Sequence, residues 1–262
     1  MSEVIVITSG KGGVGKTTTS ANLGTGLVIE GKKVALVDTD IGLRNLDVVM
    51  GLENRIVYDL VDVVEGTCKI NQALIKDKRY SGLYLLPAAQ TRDKMAVSEE
   101  QMKVVIAELR EQFDYVIVDC PAGIEHGFKN AIAAADSAIV VTIPEVSAVR
   151  DADRIIGLLS AHGITEPKLI INRIRPEMVK RGDMMSIEDT LDILGIPLLG
   201  IIPEDENIIR SSNLGEPIVT SGFKAGMAYR NIVKRIMGQE IPFMNIEDDL
   251  GFFNKLKKLF KK

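Results

Sequence analysis

Cysteine is nearly missing from this sequence, with only Cys68 and Cys120 in 262 residues. The two make neither a disulfide framework nor a metal-ligand pair, and they fit a reducing compartment. Histidine is as scarce: His126 and His162 share no ligand spacing, and neither is assigned a catalytic role. Nine prolines and 23 glycines fall well below collagen-like or low-complexity levels. No apolar run approaches the ~18 residues that span a bilayer, and the opening MSEVIVITSG has no basic n-region of a secretory signal. Excess positive charge is missing too, since the formal net charge is −4, which argues against a generally basic nucleic-acid binder. What is present, 46% hydrophobic and 26% charged residues, gives a cytosolic globular chain long enough for a full core.

The charge is unevenly spread. Residues 251–262, GFFNKLKKLFKK, hold five lysines and no acid, which leaves residues 1–250 at −9. Just before them, residues 239–250 (QEIPFMNIEDDL) carry four acids and no base. An acidic body, an acidic linker and a basic tip are three zones with different tasks.

Short β-branched runs alternate with helical stretches along the body. EVIVIT (3–8), KKVALVD (32–38), GLYLLPA (82–88), DYVIVD (114–119), SAIVVTI (137–143), KLIIN (168–172) and PLLGII (197–202) read as strands. Helices are expected from 16 to about 29, near 98–112, 126–135, 147–161, 187–194, 204–213 and 224–237. The pattern predicts an α/β fold, a mostly parallel sheet with helices on both faces. Residues 1–238 form the body domain, 239–250 the linker and 251–262 a terminal helix.

Gly10-Lys11-Gly12-Gly13-Val14-Gly15-Lys16-Thr17 matches GxxxxGK[ST], the phosphate loop of P-loop NTPases. Glycines let the loop curl so that successive backbone N–H groups face phosphate oxygens. Lys16 reaches the β- and γ-phosphates, the Thr17 hydroxyl binds Mg²⁺, and the following helix aims its positive end at the same place. The setting agrees, with an apolar strand ending at Thr8 and a helical pattern starting at Lys16. Gly12, Gly13, Val14, Gly15, Lys16, Thr17 and Thr18 are the candidate phosphate-binding residues. Asp38 and Asp40 end the second strand and Asp119 ends DYVIVD, so all three carboxylates fall at the carboxyl edge beside the loop. Asp119 has the form of a Walker B acid that holds the Mg²⁺ water shell, and Gly123 gives the segment after it freedom.

The basic tip has its own periodicity. Phe252, Phe253, Leu256, Leu259 and Phe260 share one helical face, with Lys255, Lys257, Lys258, Lys261 and Lys262 around it. Pro242 discourages continuation from the body and Gly251 marks the start. A short basic amphipathic helix of this kind suits an anionic membrane surface. The competing reading packs the same apolar face on the body.

KGGVGKTT resembles the deviant Walker A motif of the MinD/ParA family of ATPases, and the likeness extends over nearly the whole chain. It implies an ATP- and Mg²⁺-dependent homodimer in which Lys11 reaches the partner subunit's phosphates. It implies that Asp40 orients the attacking water while Asp38 assists near the metal. A guanine-reading NKxD is absent; Asn172 and Arg173 after KLIIN, with Pro203 and Asp205 after the next strand, resemble the family's adenine-contacting positions. Among membrane-cycling members, the resemblance implies recruitment of a MinC-like division inhibitor, release by a MinE-like regulator, and location in the cytoplasm and on the inner face of the membrane. It also implies a partner surface on the helix at 147–159, with Arg150, Asp151 and Asp153 as polar contacts.

One tail binds lipid weakly, because ordering a dozen residues at ~1–2 kcal/mol each offsets most of the gain from burying apolar side chains at ~1.5–3 kcal/mol each. Two tails on one dimer gain ~10²–10⁴-fold in avidity. Other readings remain beside this one. A ParA-type partition ATPase needs a basic body, against the −9 found. A flagellar-number regulator of the same family usually adds an N-terminal activating segment, for which a strand starting at residue 3 leaves no room. An iron–sulfur carrier needs more than Cys120 beside the loop. A nucleotide-binding scaffold without hydrolysis differs only in turnover.

Overall fold

The computed structural model describes residues 2–93 and 95–244. The amphipathic tip, with Phe252, Phe253, Lys255, Leu256, Lys258, Leu259 and Phe260, and the second half of the acidic linker, 245–250, lie outside the described residues.

The strands form at the apolar runs because both faces of each are covered, the condition that makes a parallel strand apolar throughout. β1 (Glu3–Thr8), β2 (Val34–Asp38), β4 (Leu83–Leu86), β5 (Tyr115–Asp119), β6 (Ser137–Thr142), β7 (Lys168–Ile174) and β8 (Leu198–Pro203) are parallel. A two-residue edge strand, β3 (Ile75–Lys76), runs antiparallel to β4. The sheet order is β3-β4-β2-β5-β1-β6-β7-β8, which puts β1 between β5 and β6. Side chains alternate across it: Val4, Val6, Val116 and Val118 enter one core layer, and Ile5, Ile7, Ile117 and Ile139 the other.

α1 (Lys16–Ile29) and α11 (Lys224–Ile236) pack together on the second layer, joined by a bond between Thr19 Oγ1 and the Tyr229 hydroxyl at 3.2 Å. α5 (Glu99–Arg110), α6 (His126–Ile132), α7 (Val146–Ala161) and α9 (Ile187–Leu194) cover the first. α5 starts where the sequence signals it, with a capping box in which Ser98 Oγ accepts from Gln101 N at 3.2 Å and Gln101 Oε1 accepts from Ser98 N at 2.8 Å.

Residues 39–81 hold what the apolar pattern did not announce: three short helices, α2 (Leu46–Val49), α3 (Leu60–Val64) and α4 (Ile70–Ala73), and the edge strand β3. α8 (Pro176–Arg181), likewise unannounced, and α10 (Asn207–Asn213) complete the body. After α11 the chain stays on the body through Phe243. Arg235 donates to the carbonyls of Leu199, Ile241 and Pro242 at 2.9 Å each, and its guanidinium lies 4.2 Å from the Phe243 ring centroid.

Candidate functional site

The phosphate loop runs from the carboxyl end of β1 to the first residue of α1, as the motif requires. Two of its glycines adopt backbone that other L-residues avoid, Gly13 at φ 77° and Gly15 at φ 102°. Gly10 lies so near α7 that a Cβ there would stand 2.3 Å from the Asp151 carbonyl oxygen. The loop is therefore seated on the first turns of α7.

Lys16 is buried, and its ammonium donates to Ser9 Oγ at 3.0 Å, while Ser9 donates to the Lys11 carbonyl at 2.8 Å. A buried cation held by a neutral hydroxyl is a donor suited to phosphate oxygens. Lys11 points elsewhere. Its ammonium, on a side chain 39% exposed, meets Glu145 Oε2 at 3.2 Å and Ser147 Oγ at 3.1 Å at the start of α7.

The register of the sheet brings two carboxylates together, since Asp38 of β2 stands directly across from Asp119 of β5. Both are buried. Asp38 Oδ1 accepts from the Asp40 N–H at 2.9 Å and Oδ2 from the Leu46 N–H at 3.2 Å. Asp119 accepts from Ser20 Oγ at 2.8 Å and also from Thr17. Burial raises the pKa of both. The Asp119 charge pushes Asp38 further up, while Thr17, Ser20 and Lys16 draw Asp119 back down.

Two desolvated carboxylates in register, beside a threonine hydroxyl and an ammonium, are electrostatically mismatched by themselves and well matched to a divalent cation. Mg²⁺ takes one or two protein carboxylates and completes its shell with water and phosphate oxygens. Thr17, Asp38 and Asp119 fit it.

The residues expected to border the base come to the same edge. Asn172 is buried at the end of the β7 core; its Nδ2 donates to the Val14 carbonyl at 2.8 Å and its Oδ1 accepts from the Arg173 N–H at 2.9 Å. The amide thus pins the phosphate loop as well as lining the site. Arg173 follows with an exposed side chain and a φ of 56°, uncommon outside glycine. Pro203 ends β8 opposite Ile174. Asp205 is committed to capping: Oδ1 accepts from Asn207 N at 3.0 Å and Oδ2 from Ala225 N at 3.3 Å. The Thr18 carbonyl accepts from Asn22 Nδ2 one turn along α1 at 2.8 Å. Gly12 lies against Ala122, and Gly123 has φ 93°.

Cys120 is buried next to Asp119, and burial pushes its thiol up to about 12, far from the thiolate a reactive or metal-binding cysteine needs. Four residues of the site escaped the motif reading: Ser9, Ser20, Glu145 and Ser147. Ser20 was findable, lying four residues beyond Lys16 on the same face of α1. Glu145 and Ser147 carry no local signal, because only the packing of the loop on α7 brings them to Lys11.

Comparison with known proteins agrees with this geometry. A family model described as an AAA domain matches residues 2–166. The septum site-determining protein MinD of Bacillus subtilis is 62% identical over 99% of this chain and 98% of its own length. The structure of the MinC:MinD cell division protein complex from Aquifex aeolicus contains a chain 51% identical, with TM-score 0.86 over 93% of this chain and 98% of that one. MinD of Pyrococcus horikoshii, solved with Mg-ADP, is 30% identical with TM-score 0.83, covering 92% of this chain and 100% of that one. These likenesses favour a cell-division role over the partition and flagellar alternatives. At this identity over nearly the whole chain, with the same fold, the chain belongs to the MinD family of septum site-determining cell division ATPases.

Proposed function

We propose that this chain hydrolyses ATP as a homodimer, and that its nucleotide state governs attachment to an anionic membrane and recruitment of a MinC-like division inhibitor. The observation that carries the reading is the division of labour between two lysines: Lys16 is turned into the phosphate loop, while Lys11 is partly exposed and, among the described residues, held by Glu145 and Ser147.

In this reading the loop N–H groups of Gly12 to Thr18 and the Lys16 ammonium bind the phosphates, and Lys11 leaves Glu145 to reach those of a second copy. An exposed ion pair is worth ~0–1 kcal/mol, so a multiply charged phosphate outcompetes it. Thr17, Asp38 and Asp119 hold Mg²⁺, whose chemistry there is to neutralise charge on the β- and γ-phosphate oxygens. Asp40, whose N–H is fixed on Asp38, orients the attacking water. Asn172, Arg173, Pro203 and Asp205 border the adenine.

Residues 251–262 form the membrane-targeting helix, 239–250 the linker and 1–238 the ATPase domain. A MinE-like regulator drives release, and no nucleic-acid partner is included. The complex of a 51%-identical MinD with MinC supports the inhibitor as partner. No helix among the described residues is long and apolar enough to cross a membrane. In this reading attachment is peripheral, through the tip.

The test is co-sedimentation with anionic vesicles in ATP and in ADP, for the full chain and for a truncation after Asp249. ATP-dependent binding of the full chain, lost on truncation with ATP binding intact, is expected. Equal binding in both nucleotides would sink the switch.

A further inference from the structure

The geometry points to Arg79 as a positioning residue of the ATPase site: its guanidinium ties the far end of the Asp38–Met50 segment to the turn after α10. This inference rests on the ATPase reading above.

Arg79 follows β3, and its guanidinium is set by the buried Asp77 two residues earlier. Asp77 Oδ2 accepts from Nη2 at 2.8 Å, and Oδ1 accepts from Nε at 3.2 Å and from the Arg79 N–H at 2.7 Å. Thus held, the fork reaches two other chain segments. Nη1 donates to the Gly215 carbonyl at 2.7 Å, just past α10, and Nη2 donates to the Met50 carbonyl at the end of α2. The segments touch at that point. A Cβ on Gly215 would stand 2.4 Å from the Gly51 Cα, and both glycines have positive φ, 65° and 62°. Three stretches distant in sequence converge on one cation.

Each reached segment leads back to the nucleotide site. α2 begins at Leu46, whose N–H holds Asp38 Oδ2 at 3.2 Å, and both Leu46 and Met50 are fully buried. α2 therefore transmits a displacement at Met50 to the carboxylate and to Asp40 beside it. α10 begins at Asn207, capped by Asp205. The two arms are not equally anchored. Asp205 is also fixed by the Ala225 N–H at the start of α11. The Asp38 arm runs through a loop in which Arg44 holds a φ of 44°, uncommon outside glycine, and pairs with the buried Asp47 of α2 at 3.0 Å, so the geometry of this arm depends on α2 staying in place. Loosening the clasp therefore displaces the hydrolytic side of the site and leaves nucleotide binding in place.

The test compares Arg79→Lys, which keeps the charge beside Asp77 but lacks the fork that spans two carbonyls, with Gly215→Ala, which spares Arg79 and pushes the Gly51 and Gly215 backbones apart. Turnover, KM for ATP and affinity for ADP are measured for each beside the wild-type chain. A misplacement of about 1 Å costs up to ~10²-fold in rate, so kcat is expected to fall ~10- to 100-fold in both variants. KM and ADP affinity should stay within about threefold. Unchanged kcat in Gly215→Ala, or a loss in either variant confined to KM, overturns the positioning role. If Arg79→Lys does not fold, Gly215→Ala decides by the same criteria. Absence of turnover in the wild-type chain would instead strike the ATPase reading, which separates the two failures.

Discussion

Replacing Asn172 by alanine tests whether the end of β7 holds the phosphate loop in shape. The amide makes two hydrogen bonds, to the Val14 carbonyl at 2.8 Å and from the Arg173 N–H at 2.9 Å, and it is only 3% exposed. Alanine leaves the Val14 carbonyl buried without its donor, which costs ~1–3 kcal/mol. The Arg173 N–H, near an exposed side chain, recovers part of its loss from water, so the total is roughly 2–4 kcal/mol. For a chain of this length that lowers Tm by roughly 5–15 °C. Affinity falls as well, because a freed loop must be ordered on binding at ~1–2 kcal/mol per residue. Calorimetric melting, with titration of Mg-ADP and Mg-GDP, reads both effects. Since the bond is to the loop, ADP and GDP should lose affinity by the same factor. A Tm drop below about 2 °C, well short of the expected range, would refute the pinning role. A loss confined to ADP would make Asn172 a reader of the base edge instead.

Two further outcomes follow from the carboxylates and the outer lysine. Asp38 and Asp119 have raised pKa values in the fold, so without nucleotide the folded state holds protons that the unfolded state has lost. Stability is then fullest near the ordinary carboxylate range and declines as pH rises through the raised values, by up to ~1.4 kcal/mol per pH unit for each group. Tm of the nucleotide-free chain should fall between about pH 5 and pH 7.5, less steeply in Asp38→Asn, and a flat wild-type profile would contradict the assignment. Lys11→Ala removes an exposed ion pair worth ~0–1 kcal/mol, so the monomer should melt within a few degrees of wild type. Sedimentation in ATP should then show no dimer, and a dimer as abundant as wild type would remove Lys11 from the partner-reaching role.

Much of this architecture was legible because its determinants are local. The interiors of EVIVIT, VALVD and YVIVD are apolar since both sheet faces are covered, and the glycines at 12, 13 and 15 advertise a loop before a helix. The positions of Asp38 and Asp119 followed from strand ends, and the register then made them neighbours. Residues 39–81 were opaque for the opposite reason. α2, α3 and α4 are four or five residues long, too short for a helical period to emerge. They are kept by a local cap, Asp59 accepting from Val61 N at 2.8 Å, and by tertiary contacts such as the Arg79 fork on Met50. Glu145 was invisible as a partner of Lys11 because the two lie 134 positions apart.

The three carbonyls gathered by Arg235 bear on how far the body can stray from a lipid surface. With Phe243 held on the body, the tether to an inserted tip begins there and not at the end of α11. Residues 244–251 span at most roughly 30 Å when fully extended. In the proposed membrane-bound state a protomer would stay within that reach of the bilayer, tethered from the β8 side of the body. Its encounters with partners become a search over a surface instead of through a volume, and a dimer anchored at two such points is also restrained in orientation.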